Sequence, residues 1–131
     1  MSVESTSAVL DRYFSADHMD TSMLADDVVF TVMATGDEYR GPAAVQGMLE
    51  YFYHGVFQAH AAPRNLVVAD GKAVAEFDFI GTHTGTFAGV PATGKPVRVP
   101  LCVAYDVEGG QVTRGRVYFE IPAFLAQVTG D

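Results

Sequence analysis

Val97-Arg98-Val99-Pro100-Leu101-Cys102-Val103-Ala104-Tyr105-Asp106-Val107, then Glu108-Gly109-Gly110, then Gln111-Val112-Thr113-Arg114-Gly115-Arg116-Val117-Tyr118-Phe119-Glu120 is the stretch on which the fold turns. Two runs rich in β-branched and aromatic residues flank a Gly-Gly turn, which predicts a hairpin of strands over 97–107 and 112–119. Strand alternation puts Arg114, Arg116, Tyr118 and Glu120 on one face, and Gly115, Val117 and Phe119 on the other. In the first strand Val97, Val99, Leu101 and Val103 share a face. They are expected to form an apolar outer surface on which two chains pair.

Upstream, Asp70-Gly71 signals a second hairpin between a short strand at 66–69 and a long one at 73–87, bent at Gly81 or Gly85. A Gly/Pro loop at 88–96 leads into the strand at 97–107. Further back the pattern turns helical. A first helix over 2–15 has Val3, Leu10, Tyr13 and Phe14 near one face, with Ser2 or Ser5 as cap. His18-Met19-Asp20-Thr21 reads as a turn, and 22–25 as a short second helix capped by Thr21. A β-branched strand covers 28–34 and a loop 36–41. Pro42 suits the first turn of a third helix, in which Val45, Met48, Leu49, Phe52 and Val56 follow helical spacing. Pro63 stops any continuation. Downstream, Pro122 opens a short helix over 123–128. Helices gathered ahead of hairpin-linked strands specify an α+β fold: a curved antiparallel sheet, a cone-shaped half-barrel, packed against three N-terminal helices. Such a sheet leaves a cavity against the helices.

The 131 residues suit a single domain, 1–131. Hydrophobic residues at 49% supply a core, and 8 basic against 16 acidic side chains give a net charge of −8. That surface repels nucleic acids and anionic membranes. The single Cys102 excludes an internal disulfide. No apolar run is long enough to span a bilayer, and the N-terminus lacks a signal-peptide pattern, so a cytoplasmic location is expected.

Several motifs invite a chemical reading. Gly89-Val90-Pro91-Ala92-Thr93-Gly94-Lys95-Pro96 approaches a phosphate loop. Pro96 replaces the required hydroxyl and a strand follows, so a tight connection is the simpler reading. His18, His54, His60 and His83 show no metal-ligand spacing, and neither metal nor cofactor is expected. Cys102 sits in an apolar strand, unlike an activated thiolate. Glu120 ends the last strand. At the mouth of an apolar pocket its carboxylate would serve as general base; otherwise it is an exposed acid or pairs with Arg116 or Arg98. His83 shares parity with Phe77 and Phe79 and is expected to point inward, either as a proton carrier or bonded to a neighbour. Tyr13 lies on the apolar face of the first helix, where its hydroxyl would steady an oxyanion or simply pack. Glu76 and Asp78 have the opposite parity and face solvent or a partner chain. Phe14, Phe30, Phe52, Phe79, Val117 and Tyr118 are the expected ligand-contacting residues.

Tyr13-Phe14, 24–30, Tyr39-Arg40-Gly41-Pro42, Gly81-Thr82-His83-Thr84-Gly85, 89–95 and Tyr118-Phe119-Glu120 with 124–127 together resemble the SnoaL-like polyketide cyclase branch of the nuclear transport factor 2-like superfamily. The resemblance covers roughly residues 5–129. It implies a curved sheet around a deep apolar cavity, a homodimer, and cofactor-independent acid/base chemistry on a small apolar carbonyl compound. The cyclases' aspartate after the last strand matches Glu120, one methylene longer, while their histidine on the preceding strand has no counterpart at 101–106. Tyr13 matches the first-helix tyrosine of the steroid isomerases, whose base has no counterpart in 30–34. Arg98-Val99-Pro100 breaks the Arg-x-Asp pattern of limonene epoxide hydrolase. A non-catalytic binding protein with the same cavity is the alternative.

Overall fold

The computed structural model describes residues 2–15 and 20–129. Helix α1, Val3–Tyr13, starts at the predicted cap: the Ser2 hydroxyl accepts from the Ser5 backbone N–H and the Ser5 hydroxyl answers at Ser2. His18 and Met19 of the predicted turn lie outside the described residues. In place of a helix at 22–25 there is one 3-10 turn, Thr21–Met23, capped by Asp20 rather than Thr21. Strand β1, Leu24–Val32, follows directly.

The predicted loop at 36–41 holds a short strand, β2 (Asp37–Arg40), hydrogen-bonded along β1. Its charges hide a strand pattern, and charges are what an exposed sheet edge tolerates. Helix α2, Pro42–Glu50, has Pro42 in its first turn as expected. It ends in a π turn, Tyr51–Gly55, closed by Val56 N–H on the Tyr51 carbonyl. Strand β3, Phe57–Ala69, runs through the expected stop at Pro63. A proline is tolerated there because β3 is an edge strand and bulges at that point. Strands β4 (Lys72–His83), β5 (Pro96–Glu108) and β6 (Gln111–Phe119) and helix α3 (Ile121–Thr129) complete the chain.

The α+β class holds. Three α-helices accompany a curved, unclosed six-stranded sheet of order β2-β1-β6-β5-β4-β3. Two points differ from expectation. One pair, β1 with β6, is parallel, and two α-helices rather than three are N-terminal, the third being the expected C-terminal one. No helix among the described residues is long and apolar enough to cross a membrane.

Register corrects the expected faces of β5. Phe77 pairs with Leu101 and Phe79 with Val99, and cross-strand partners share a face. Val97, Val99, Leu101 and Val103 therefore point inward with the phenylalanines and are buried in the core, not displayed outside. The outer face carries ion pairs beside the exposed Val67, Val74 and Tyr118. Asp78 accepts from Arg64 at 2.7 Å and Arg98 at 2.6 Å. Asp106 accepts from Lys72 at 2.9 Å and Arg116 at 3.2 Å. Gly81, Gly85 and Gly115 are fixed by close approach. A Cβ on Gly115 would meet the Phe30 ring at 2.7 Å, and one on Gly81 would meet the Gln58 carbonyl oxygen at 2.2 Å.

Candidate active site

Between sheet and helices lies a cavity in two parts. The inner recess, about 40 Å³, is walled by Tyr13 of α1, Phe30 of β1, Met48 and Leu49 of α2, Phe52 and Tyr53 of the π turn, and inward residues of β4, β5 and β6. These include Phe79, Tyr105, Val117 and Phe119. The outer groove, about 520 Å³, shares Leu49, Tyr53 and Phe77 with the recess and adds Phe14. Its rim carries Gln46, Glu50, His54, His60, Arg64 and Asn65. The π turn explains how consecutive residues reach one cavity. Its widened winding lets Phe52, Tyr53 and His54 all line the wall, where an α-helix would spread them around its axis.

Three phenols give the recess its chemistry. Tyr13 and Tyr105 lie with ring centroids 5.9 Å apart, and Tyr53 stacks at a tilt on Phe79 at 5.2 Å. Burial pushes the Tyr53 phenol up to about 12. Burial, with Tyr53 nearby, pushes Tyr13 higher still. Tyr105 is raised by burial first and by Tyr13 and Tyr53 second. All three are therefore neutral O–H donors at physiological pH. Among the described residues, no carboxylate or imidazole lines the recess. Glu50, His54, His60 and Arg64 belong to the groove.

The structure brings together Tyr13, Phe14, Phe30, Phe52, Phe79 and Val117 of the predicted residues. It leaves three elsewhere. Glu120 is exposed and, with the half-exposed Tyr118, borders a shallow depression on the outer sheet face. The cause is the alternation already seen in the sequence. Phe119 and Val117 take the inner face, so Tyr118 and Glu120 take the outer one, and Glu120 is not at the cavity mouth. Nor does it pair with Arg98 or Arg116, whose partners are Asp78 and Asp106. His83 does point inward and is fully buried, but it borders neither part of the cavity. It packs edge-on against Phe124 at 4.9 Å, and its Nδ1 lies 3.0 Å from Thr93 Oγ1. Its Nε2 is the one buried side-chain polar atom without a partner among the described residues.

Sequence reasoning missed Tyr53, Tyr105 and the groove residues. The signal for Tyr105 was its parity with Val103 and Leu101, once the face of β5 is corrected. Tyr53 stands four residues after Leu49. His60 and Arg64 could not be placed while 57–65 was read as lacking a strand. The expected strand over 73–87 stops at His83, so the connection into β5 spans 84–95 rather than 88–96, and Pro96 opens β5. Cys102 is half-buried on the outer face, where burial raises its thiol. Among the described residues, no three His, Cys, Asp or Glu side chains gather as metal ligands do.

Several solved structures share this architecture. A protein of Jannaschia sp. CCS1 described as a SnoaL-like polyketide cyclase superposes with a TM-score of 0.82 at 17% identity, over 98% of this chain and 94% of that one. TsrD of Streptomyces laurentii gives 0.77 at 21% identity, over 95% of each chain. An epoxide hydrolase of M. tuberculosis resembling limonene epoxide hydrolase gives 0.70 at 14%, over 98% and 91%. At these identities the likeness is one of fold. No curated protein matches by sequence. The model of the SnoaL-like polyketide cyclases, however, matches residues 14–128, and the chain belongs to that family.

Proposed function

We propose that this protein is a cofactor-independent acid/base enzyme acting on a small, mostly apolar carbonyl compound held between sheet and helices. The observation that carries the reading is the set of three neutral phenols, Tyr13, Tyr53 and Tyr105, on the wall of an otherwise apolar recess. A carbonyl oxygen directed into the recess accepts from these phenols. The negative charge that grows on it when an adjacent C–H loses its proton is stabilised there, in surroundings that screen it little. A steroid isomerase with a tyrosine in its oxyanion site is a known case of this arrangement. The proton is taken up at the groove, where Glu50, His54 and His60 stand. Membership of a cyclase family supports the same class of reaction. We also propose that two copies pair through the outer sheet face, and that the protein works in the cytoplasm.

One observation favours a second reading, a carrier with no chemistry: the described residues of the recess include no base. A single assay separates the two. Exchange of the α-protons of 2-tetralone into deuterated water is followed by NMR with and without protein. The enzyme reading expects accelerated exchange, and Tyr53→Phe is expected to lower it by about a hundredfold while the fold is retained. Binding of 2-tetralone with exchange at the background rate would establish the carrier.

A further inference from the structure

We infer that the ligand of this cavity carries an anionic oxyacid group, a carboxylate in the simplest case, and that Arg64 receives it at the groove mouth. The inference rests on the reading of the cavity as a ligand site and names the class of ligand.

Arg64 is the extra residue of the β3 bulge. Pro63 faces Phe77 and Asn65 faces Glu76, so Arg64 has no partner across the ladder. Bulges re-aim side chains, and this one sets Arg64 at the sheet edge, on the rim of the groove. Its guanidinium is held on the outer side of that edge: Nη1 donates to Asp78 Oδ2 at 2.7 Å. That same oxygen accepts from Arg98 at 2.6 Å. Two guanidiniums share this carboxylate, and Glu76, which accepts from Asn65, stands beside them, so Arg64 is a cation in a charge-balanced cluster on a chain whose net charge is −8. A guanidinium has five N–H donors in a fixed fork, and Asp78 takes one. The Arg64 side chain is 60% exposed, so it is open to a ligand.

The rest of the rim agrees. Gln46, His54 and His60 bring further N–H groups, and Glu50 is the one carboxylate among the described residues that line the groove. Arg64 also borders the depression on the outer face, but Glu76, Asp78 and Glu120 line that side and disfavour an anion there. The geometry thus fits a ligand with an apolar body against Phe14, Leu49 and Phe77 and an oxyanion at the rim.

A matched pair of probes tests this by titration calorimetry at low ionic strength: 2-naphthoate and its neutral isostere 2-naphthamide. The expected result is about tenfold tighter binding of the naphthoate. In Arg64→Gln the ratio is expected to fall to within about twofold, with the naphthamide affinity unchanged. Tyr118→Ala, on the outer depression only, is expected to keep the preference. Equal affinities in the wild-type protein would overturn the inference and leave the cavity reading standing. A preference that survives Arg64→Gln, or disappears in Tyr118→Ala, would overturn it too. If neither compound binds the folded protein, the cavity reading fails and takes this inference with it.

Discussion

Burying a phenol fixes its protonation state, and Tyr53 shows what that does to the whole chain. Its hydroxyl ionises at about 12 in the folded protein, whereas an unfolded tyrosine ionises near ~10. Tyr13 and Tyr105 are raised in the same direction. Below pH ~10 both states hold these protons and the tyrosines add no pH dependence. Above it the unfolded chain releases protons that the folded chain keeps. Stability therefore falls as pH rises from ~10 towards 12. We expect absorbance titration of the folded protein at pH 11 to find these three of its six tyrosines still protonated. Full ionisation at that pH with the fold intact would contradict the buried site. Asp106 works at the opposite end of the scale. Burial alone would raise its carboxyl, but hydrogen bonds from Arg116 and Lys72 outweigh that and hold it below the usual range. Its contribution is present above pH ~4 and is lost as acid protonates it.

At the scale of elements, one side chain of the C-terminal helix adds a pair of hydrogen bonds to the packing of Phe124 and Val128. Gln127 of α3 mimics a strand: its Oε1 accepts from Arg98 N–H at 2.7 Å and its Nε2 donates to Arg98 C=O at 2.7 Å. Gln127→Ala removes both bonds at an exposed site, and we expect a loss of about 1 kcal/mol in chemical denaturation. A loss below about 0.3 kcal/mol would mean that Phe124 and Val128 alone hold the helix. The elements also show where sequence is readable. The β5–β6 hairpin and helices α1 and α2 were legible because turn residues, caps and apolar spacing agree there. Strand β2 was not, since its four residues, three of them charged, carry no alternation. Strand β3 was not, because the penalty on Pro63 vanishes at a bulged edge. The site divides in the same way. Tyr13, Phe14 and the recess phenylalanines follow from periodicity. The faces of β5 follow only from its pairing with β4, a tertiary fact. Glu120 was a single residue judged by its place at a strand end, and parity sent it outside.

For the molecule as a whole, the outer sheet face is the remaining unassigned surface. It displays two ion-pair clusters around Asp78 and Asp106, with the paired Cys102 and Tyr118 between them along β5 and β6. Paired as a twofold, this face would set charged clusters and an aromatic against their own copies. Light scattering at micromolar concentration is expected to give twice the mass of one chain. Arg98→Glu should halve it by placing a third acid beside Glu76 and Asp78. A monomer in the wild-type protein would refute the pairing. The parallel contact of β1 with β6 has another consequence, in time rather than in space. Residues 24–32 find their second neighbour only at 112–117. On a ribosome, β1 and β2 emerge first and wait, one edge of β1 unsatisfied, until the strand that closes the sheet has been made. The cavity is therefore among the last things the nascent chain acquires, and the interval before it is when this protein is most exposed to aggregation.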